Sequence, residues 1–254
     1  MKILISVAII SFNEERNIAR CINSVKEFAD EIVVIDSFST DKTVEIAKDL
    51  GAKVINQKFL GYIEQKNFAI TQCAHKIVFS IDSDEAPDER LKKSILEVKN
   101  NFDAAGYSMN RLTNYCGKWI RHCGWYPDVK LRLWVKDKGE WGGKNPHDEF
   151  IMDKESKVKH LKGNLLHYSY YSINQHSEQI SNFTDISSLL MFEKGKNASL
   201  IELFIGPMVS FMRNYVLKLG FLDGFYGLVV CGMTAHSKFL KMIKLRALNL
   251  ETKK

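Results

Sequence analysis

The chain of 254 residues has little cysteine, and none of it in a pattern that builds a scaffold. Cys21, Cys73, Cys116, Cys123 and Cys231 make an odd number without a Cys-x-x-Cys pair. That speaks against a disulfide framework and a structural zinc site, and a reducing cytosol is the expected compartment. No uncharged apolar run reaches ~18 residues, the length a bilayer span needs; Gly224 to Ser237 is the longest candidate and is too short. Met1-Lys2 leads straight into a strand-like run with no small-residue cleavage site after it, so no secretory leader is expected. Gly-x-Gly-x-x-Gly and a Walker lysine are missing from the first turn, which excludes dinucleotide and P-loop readings. There is no internal repeat and no linker-like tract.

What is present is a chain able to bury a full core: 45% hydrophobic and 26% charged. The net charge of +6 is unevenly spread. Residues 194–254 carry ten Lys/Arg against three acids, a net of +7, and residues 1–193 sum to −1. The expected organisation is one domain over 1–193 and a basic helical extension over 194–254. Nucleic-acid binding has only the mild charge in its favour and no motif.

Ile3 to Ile10 is a continuous apolar run, as in a strand buried on both faces. A helix with Ile18, Ile22, Val25 and Phe28 on one side follows. Glu31–Asp36, Lys53–Ile55 and Lys76–Asp82 read as further strands. Between them lie helices over Val44–Leu50, capped by Ser39 or Thr40, and over Tyr62–Cys73. Pro87 is expected to open the next helix, running to about Asn100. This alternation predicts a parallel α/β sheet, in which ligands bind beyond the carboxyl ends of the strands. Asn13-Glu14, Asp36 and Asp82 to Asp84 all sit at such ends. Later, Tyr107–Tyr115 and Val129–Val135 read as mixed-sheet strands, Gly139 to Glu149 as a polar loop, and Leu165–Tyr168 as a last short strand. Helices are expected from Ser172 onward.

Ser80-Ile81-Asp82-Ser83-Asp84-Glu85 is the strongest local signal. In an extended segment residues i and i+2 point the same way, so Asp82 and Asp84 can address one ligand. Two carboxylates suit Mg²⁺ or Mn²⁺ bridging a diphosphate; the plainer alternative is a solvated acidic turn before a helix. Asp36 can meet a ribose hydroxyl or a base N–H, or can simply hold its own turn.

Val7 to Glu15, Ile35 to Thr43 and Asp82-Ser83-Asp84 resemble, in that order, the markers of the GT-A nucleotide-sugar-binding domain of glycosyltransferase family 2. More narrowly, Gln65 to Ala69, Gly124 to Asp128, Asn145 to Asp148 and Gly220 to Gly224 resemble the lipopolysaccharide-core glucosyltransferase branch. The resemblance implies a GT-A, Rossmann-like mixed sheet flanked by helices, with a C-terminal helical extension. It implies an inverting, metal-dependent hexosyltransferase that uses a UDP-sugar, with UDP-glucose as the expected donor and the inner core of lipopolysaccharide or lipooligosaccharide as acceptor. On that carry-over Ser11, Asn13 and Glu14 line the nucleotide pocket and Asp36 meets the uridine. Asp82 and Asp84 serve ribose, metal and diphosphate. Lys66 neutralises phosphate charge or is a surface helix lysine. Inversion in one step needs a general base. Asp148 and Glu149 are the candidates, Asp148 preferred. His147 and His167 are further candidates for the metal shell.

Trp119, Trp125, Tyr126 and Trp141 are candidates for stacking on acceptor sugars. Arg121, Lys130 and Arg132 are candidates for phosphates on an anionic glycolipid. In the tail, Lys238 to Arg246 is a basic amphipathic stretch of the kind that lies on anionic membranes. This gives the expectation of a cytoplasmic protein peripheral on the bacterial inner membrane, with helical packing or self-association as the alternative use of the tail. Other donors or acceptors within the family, or a non-catalytic nucleotide-sugar-binding module, remain alternatives. A nucleotidyltransferase would need a Gly-rich basic loop where Ser11-Phe12-Asn13-Glu14-Glu15 stands.

Overall fold

A computed structural model of the chain describes residues 3–144 and 147–251, with only the backbone described for Lys144 and His147. The chain falls into two compact units, residues 1–111 with 128–168, and residues 112–127 with 169–254.

The first unit is built on a mixed sheet. Strands β1 (Ile5–Ser11), β2 (Glu31–Asp36), β3 (Lys53–Asn56) and β4 (Ile77–Asp82) are parallel. The sheet continues through β5 (Glu85–Pro87), β6 (Gly106–Tyr115), β8 (Asp128–Val135) and β11 (Val158–Tyr170), in the order β3-β2-β1-β4-β8-β6-β11-β5. Strand β7 (Lys118–Trp119) pairs with the end of β6 in the second unit.

The continuous apolar runs arise because both faces of the parallel half are covered. Ile5, Val7, Ile9, Phe79 and Ile81 face one core, shared with α1 (Ile18–Val25), α2 (Thr43–Asp49) and α4 (Glu89–Asn100). Ala8, Val33, Ile35 and Val78 face the other, shared with α3 (Tyr62–Thr71). The register pairs Ser11 with Asp36 and Ile10 with Asp82, so three strands end level with one another.

Four local expectations are corrected. Pro87 ends β5, and the α4 cap is Asp88, whose Oδ1 accepts from the Leu91 N–H at 2.8 Å. Ser39 and Thr40 do not cap α2; they bond to Asp36 and Asn13 instead. Gly139 to Glu149 is no loop but most of a hairpin, β9 (Gly139–Lys144) with β10 (His147–Met152). Its glycines read as loop signals, yet a Cβ on Gly139 would lie 2.2 Å from the Ile151 carbonyl oxygen, so Gly139 permits close strand approach. The short strand at Leu165 is 13 residues long. Within it Gly163, at φ +108°, passes so near the start of α4 that a Cβ would meet the Leu91 nitrogen at 2.2 Å.

The second unit is mainly helical: α5 (Ile173–Glu193), α6 (Leu200–Met212) continued by a π-helical turn (Arg213–Leu217), a 3-10 turn (Gly220–Asp223) and α7 (Gly224–Glu251). Ser172 with Gln175, and Ser199 with Glu202, form capping boxes that fix where α5 and α6 begin. Buried Asp223 accepts from the N–H groups of Arg121 at 3.1 Å and His122 at 2.8 Å, pinning the segment before β8. His176 is buried with its Nδ1 3.0 Å from the Tyr115 hydroxyl.

The amphipathic stretch Lys238 to Arg246 turns its apolar side inward: Met242 and Leu245 are buried with Leu203 and Ala198. Lys244 Nζ donates to the Ser181 carbonyl and pairs with Asp185, and Arg246 reaches the Ala198 carbonyl. The expectation that this apolar face meets lipid is therefore corrected, because it is spent on helix packing. All five cysteines are free thiols.

Candidate active site

A buried lysine organises the site. Lys66 lies on α3, next to the other buried positions Gln65, Ala69 and Ile70. Its ammonium is 3.1 Å from Asp82 Oδ1 and 2.8 Å from Asp148 Oδ2, and the side chain is only 6% exposed. The ring of Trp141 lies 4.5 Å below it. Asp82 comes from the end of β4 and Asp148 from β10, so one cation joins acids that the chain separates by most of the unit. Because β10 alternates, Asp148 shares its face with Phe150, which stacks on Trp134 at 3.7 Å, and Glu149 is exposed. Of the two candidate bases only Asp148 reaches the cluster.

A second cation lies beneath. Arg132, 3% exposed, donates through one Nη2 to Asp82 Oδ2 at 2.9 Å and to Glu85 Oε1 at 3.0 Å. Glu85 is fully buried, accepts from the Asp82 N–H at 3.1 Å and lies 3.5 Å from Arg111. Burial alone would raise the Asp82 carboxyl, but Lys66 and Arg132 more than offset that and hold it far below the ordinary range. Burial works against the Arg132 charge as well, and Glu85 and Asp82 reverse it.

Asp82 and Asp84 were expected to project together from an extended segment. Residues 83–84 instead form a turn, and the two acids have different partners. Pairing of β5 with β11 sets His167 opposite Glu85, and the Tyr168 N–H donates to the Asp84 carbonyl at 2.9 Å. This brings His167 Nε2 to 3.1 Å from Asp84 Oδ2. Burial raises Asp84 and the His167 cation outweighs it downward; burial lowers His167 and Asp84 outweighs it upward.

The turn after β1 is locked to the turn after β2. Asp36 is buried and accepts from Ser11 Oγ (3.1 Å), Ser39 N–H (2.7 Å) and Ser39 Oγ (2.5 Å). Asn13, at φ +52°, accepts from the Thr40 N–H and donates its own N–H to Ser39 Oγ. Both Asn13 and Phe38 hold left-handed backbone without being glycine, a strain the turn-to-turn bonds sustain. Glu14 accepts from Asn17 Nδ2 at 2.7 Å, and burial lifts its carboxyl to about 7.

The residues expected at the site are thus largely brought to one edge. Among the expected metal ligands, Asp84 and His167 meet, Asp82 is engaged by two cations, and the His147 side chain lies outside the described residues, as do Asn145 and Pro146. Among the described residues no group of three or more His, Cys, Asp or Glu side chains forms a metal cage. Two expectations on the acceptor side are corrected. Trp141 is buried under Lys66 and against Trp134, so it offers no face to a sugar, and Arg132 lies beneath the site. Sequence reasoning missed Glu85 and the structural part of Arg132. The signal was there, since an arginine between Leu131 and Leu133 in an apolar strand needs a buried acid.

Residues 6–148 match the family model described as Glycosyl transferase family 2. The chain belongs to that family. An uncharacterized glycosyltransferase of Rickettsia typhi (strain ATCC VR-144 / Wilmington) is 34% identical over 98% of this chain and 89% of its own length. The lipopolysaccharide core biosynthesis glycosyltransferase LpsC of Rhizobium meliloti (strain 1021) is 27% identical over 92% of this family 2 chain and 91% of its own. Among solved structures, glucosyl-3-phosphoglycerate synthase from Mycobacterium tuberculosis, in complex with Mn²⁺, UDP and glucosyl-3-phosphoglycerate, covers 44% of each chain at 25% identity and a TM-score of 0.37. The expected mixed sheet flanked by helices and the family 2 expectation for the chain are both met.

Proposed function

We propose that this family 2 transferase moves a hexose, glucose by resemblance, from a UDP-sugar to the inner core of lipopolysaccharide or lipooligosaccharide, with inversion in a single displacement. The observation that carries the reading is the Lys66 bridge between Asp82 and Asp148. It joins an acid of the strand edge to Asp148, the candidate base that comes within reach.

In this reading Asp148 is the general base. Lys66 takes up Oδ2, and among the described residues Oδ1 has no partner, so Oδ1 is the oxygen that accepts the acceptor's hydroxyl proton. The hydroxyl oxygen bonds to the sugar's anomeric carbon as the bond from that carbon to the diphosphate breaks. The electron pair leaves with UDP. Lys66 lies where it can answer the charge that grows on the diphosphate. Ser11, Asn13, Glu14 and Asp36 shape the nucleotide side, and Asp36 acts by holding its turn rather than by offering free lone pairs.

A divalent ion, Mg²⁺ or Mn²⁺, fits two of these residues. Asp84 Oδ2 and His167 Nε2, 3.1 Å apart, are the atoms that would hold it. Two protein ligands would suffice, since a magnesium-type site does not need a full protein cage. When bound it supplies Lewis-acid stabilisation of the leaving diphosphate.

The 194–254 segment is proposed as the extension that keeps the protein on the cytoplasmic face of the inner membrane, where a lipid-linked acceptor resides. A transfer assay with a panel of labelled nucleotide-sugars and truncated core acceptors tests the function. UDP-glucose is expected to give a product of inverted anomeric configuration by NMR, absent with Asp148→Asn. A retained configuration, or transfer undiminished in that variant, overturns the assignment.

A further inference from the structure

In the second unit, α6 buries only Leu203 and Ser210 of its 13 residues. Most of the rest of its surface is apolar and open: Ile201, Phe204, Ile205, Met208, Val209 and Met212 are all more than half exposed, Ile201 and Met208 at 69%. Leu217 (77%), Leu222 and Phe225, in the turns that follow and the start of α7, are also more than half exposed. A helix on the water-facing side of a globular unit normally shows polar residues there. Contiguous apolar surface of this kind marks an interaction site.

Charge identifies the partner. The second unit holds twelve Lys/Arg against six Asp/Glu, which is the whole net charge of +6, and the first unit sums to zero. Arg213 and Lys218 sit at the end of the apolar arc and are exposed, and Lys238 on α7 runs beside Gly206 in the middle of α6. An open apolar face with cations at its margin suits the headgroup layer of an anionic bilayer.

We infer that the open arc of α6 and the turns after it insert into the surface of an anionic membrane, and that this surface, not the Lys238–Arg246 stretch, is the lipid contact. Leu200–Leu217 is also long and apolar enough to cross a bilayer by length and composition. Lying flat is favoured because Leu203, Ser210 and Asn214 pack inward and because the segment carries Glu202 and Arg213. This inference deepens the membrane part of the proposed function and does not depend on its chemistry.

The test is flotation of the full chain with vesicles of phosphatidylethanolamine and phosphatidylglycerol, against vesicles of phosphatidylcholine alone. Wild type is expected to float with the anionic vesicles and to be released by high salt. Phe204→Glu/Met208→Glu, two exposed positions, is expected to reduce binding at least about tenfold while the melting temperature is kept. Arg213→Glu/Lys218→Glu should reduce anionic binding alone. Four outcomes overturn the inference. One is wild type that stays in the aqueous fraction. Another is an α6 variant that floats like wild type. The third is a wild type that resists both salt and alkaline extraction as a spanning helix would. The fourth is a dimer that becomes monomeric in the α6 variant with no vesicle binding by either, which would make the face a self-interface. Loss of sugar transfer with flotation intact would count against the catalytic reading only.

Discussion

Replacing Lys66 by methionine removes the cation and nearly preserves the volume of its buried stem. In wild type the ammonium stands 2.8 Å from one carboxylate and 3.1 Å from another, with 6% of the side chain exposed. At an effective dielectric near 20 each pair is worth roughly 5–6 kcal/mol before desolvation is subtracted. Most of that is cancelled by taking three charges out of water. What the substitution exposes is the cost of leaving two acids behind, about 3–5 kcal/mol for a broken buried pair. Arg132 still holds Asp82, which puts the expected loss at the lower end, about 3 kcal/mol. The melting transition should fall by roughly 6–12 °C. Lys66→Met/Asp148→Asn should recover part of the loss, with a coupling energy of about 1–3 kcal/mol in a double-mutant cycle. Sugar transfer by Lys66→Met should drop by about 10²–10³, the scale of losing one preorganised electrostatic group. Urea titrations and transfer rates on the four proteins of the cycle measure both. Strict additivity of the two substitutions in stability would refute the bridge.

Further outcomes follow from the same geometry. Asp84→Asn should abolish metal-stimulated nucleotide-sugar binding in calorimetry and leave the circular dichroism spectrum unchanged. Asp148→Asn should lower transfer by at least about 10², as expected when a general base is removed, and Glu149→Gln, exposed beside it on β10, should stay within about threefold in the same assay. His176 gives a pH signature. Burial holds it down to about 4 from 6.5, so the unfolded chain binds the proton more readily between those values. The stability this contributes is present above pH 6.5 and is lost as pH falls toward 4, by at most roughly 3 kcal/mol. His176→Phe should flatten the urea midpoint against pH over that window, and an unchanged slope would contradict the assignment.

The parallel half of the sheet is legible in the sequence because a strand buried on both faces must be apolar throughout, as Ile3 to Ile10 and Glu31 to Asp36 show. The strand ends are legible for the same reason: Asp36 and Asp82 interrupt apolar runs. Gly139 to Glu149 is not, since glycine marks both loops and close strand approach, and only the hairpin partner decides between them. The preference for Asp148 over Glu149 came with the family resemblance, and the hairpin adds the physical reason, because alternation along β10 turns Asp148 toward Lys66 and leaves Glu149 exposed. Lys66 was visible as a helix lysine, but its partners lie 16 and 82 positions away, and no local pattern reports such distances. The same limit applies to Lys238–Arg246. Its amphipathic pattern was read correctly, yet a pattern says that an apolar face is covered and not by what. Here α5 and α6 cover it.

Binding of UDP-glucose to the full chain, measured by calorimetry with Mn²⁺ or Mg²⁺ and again with chelator, tests the central claim most directly. Saturable binding that needs the divalent ion, disappears in Asp84→Asn and survives in Asp148→Asn is the predicted result. Binding that ignores the ion and both substitutions, or no affinity for any nucleotide-sugar, would contradict the assignment of this strand edge.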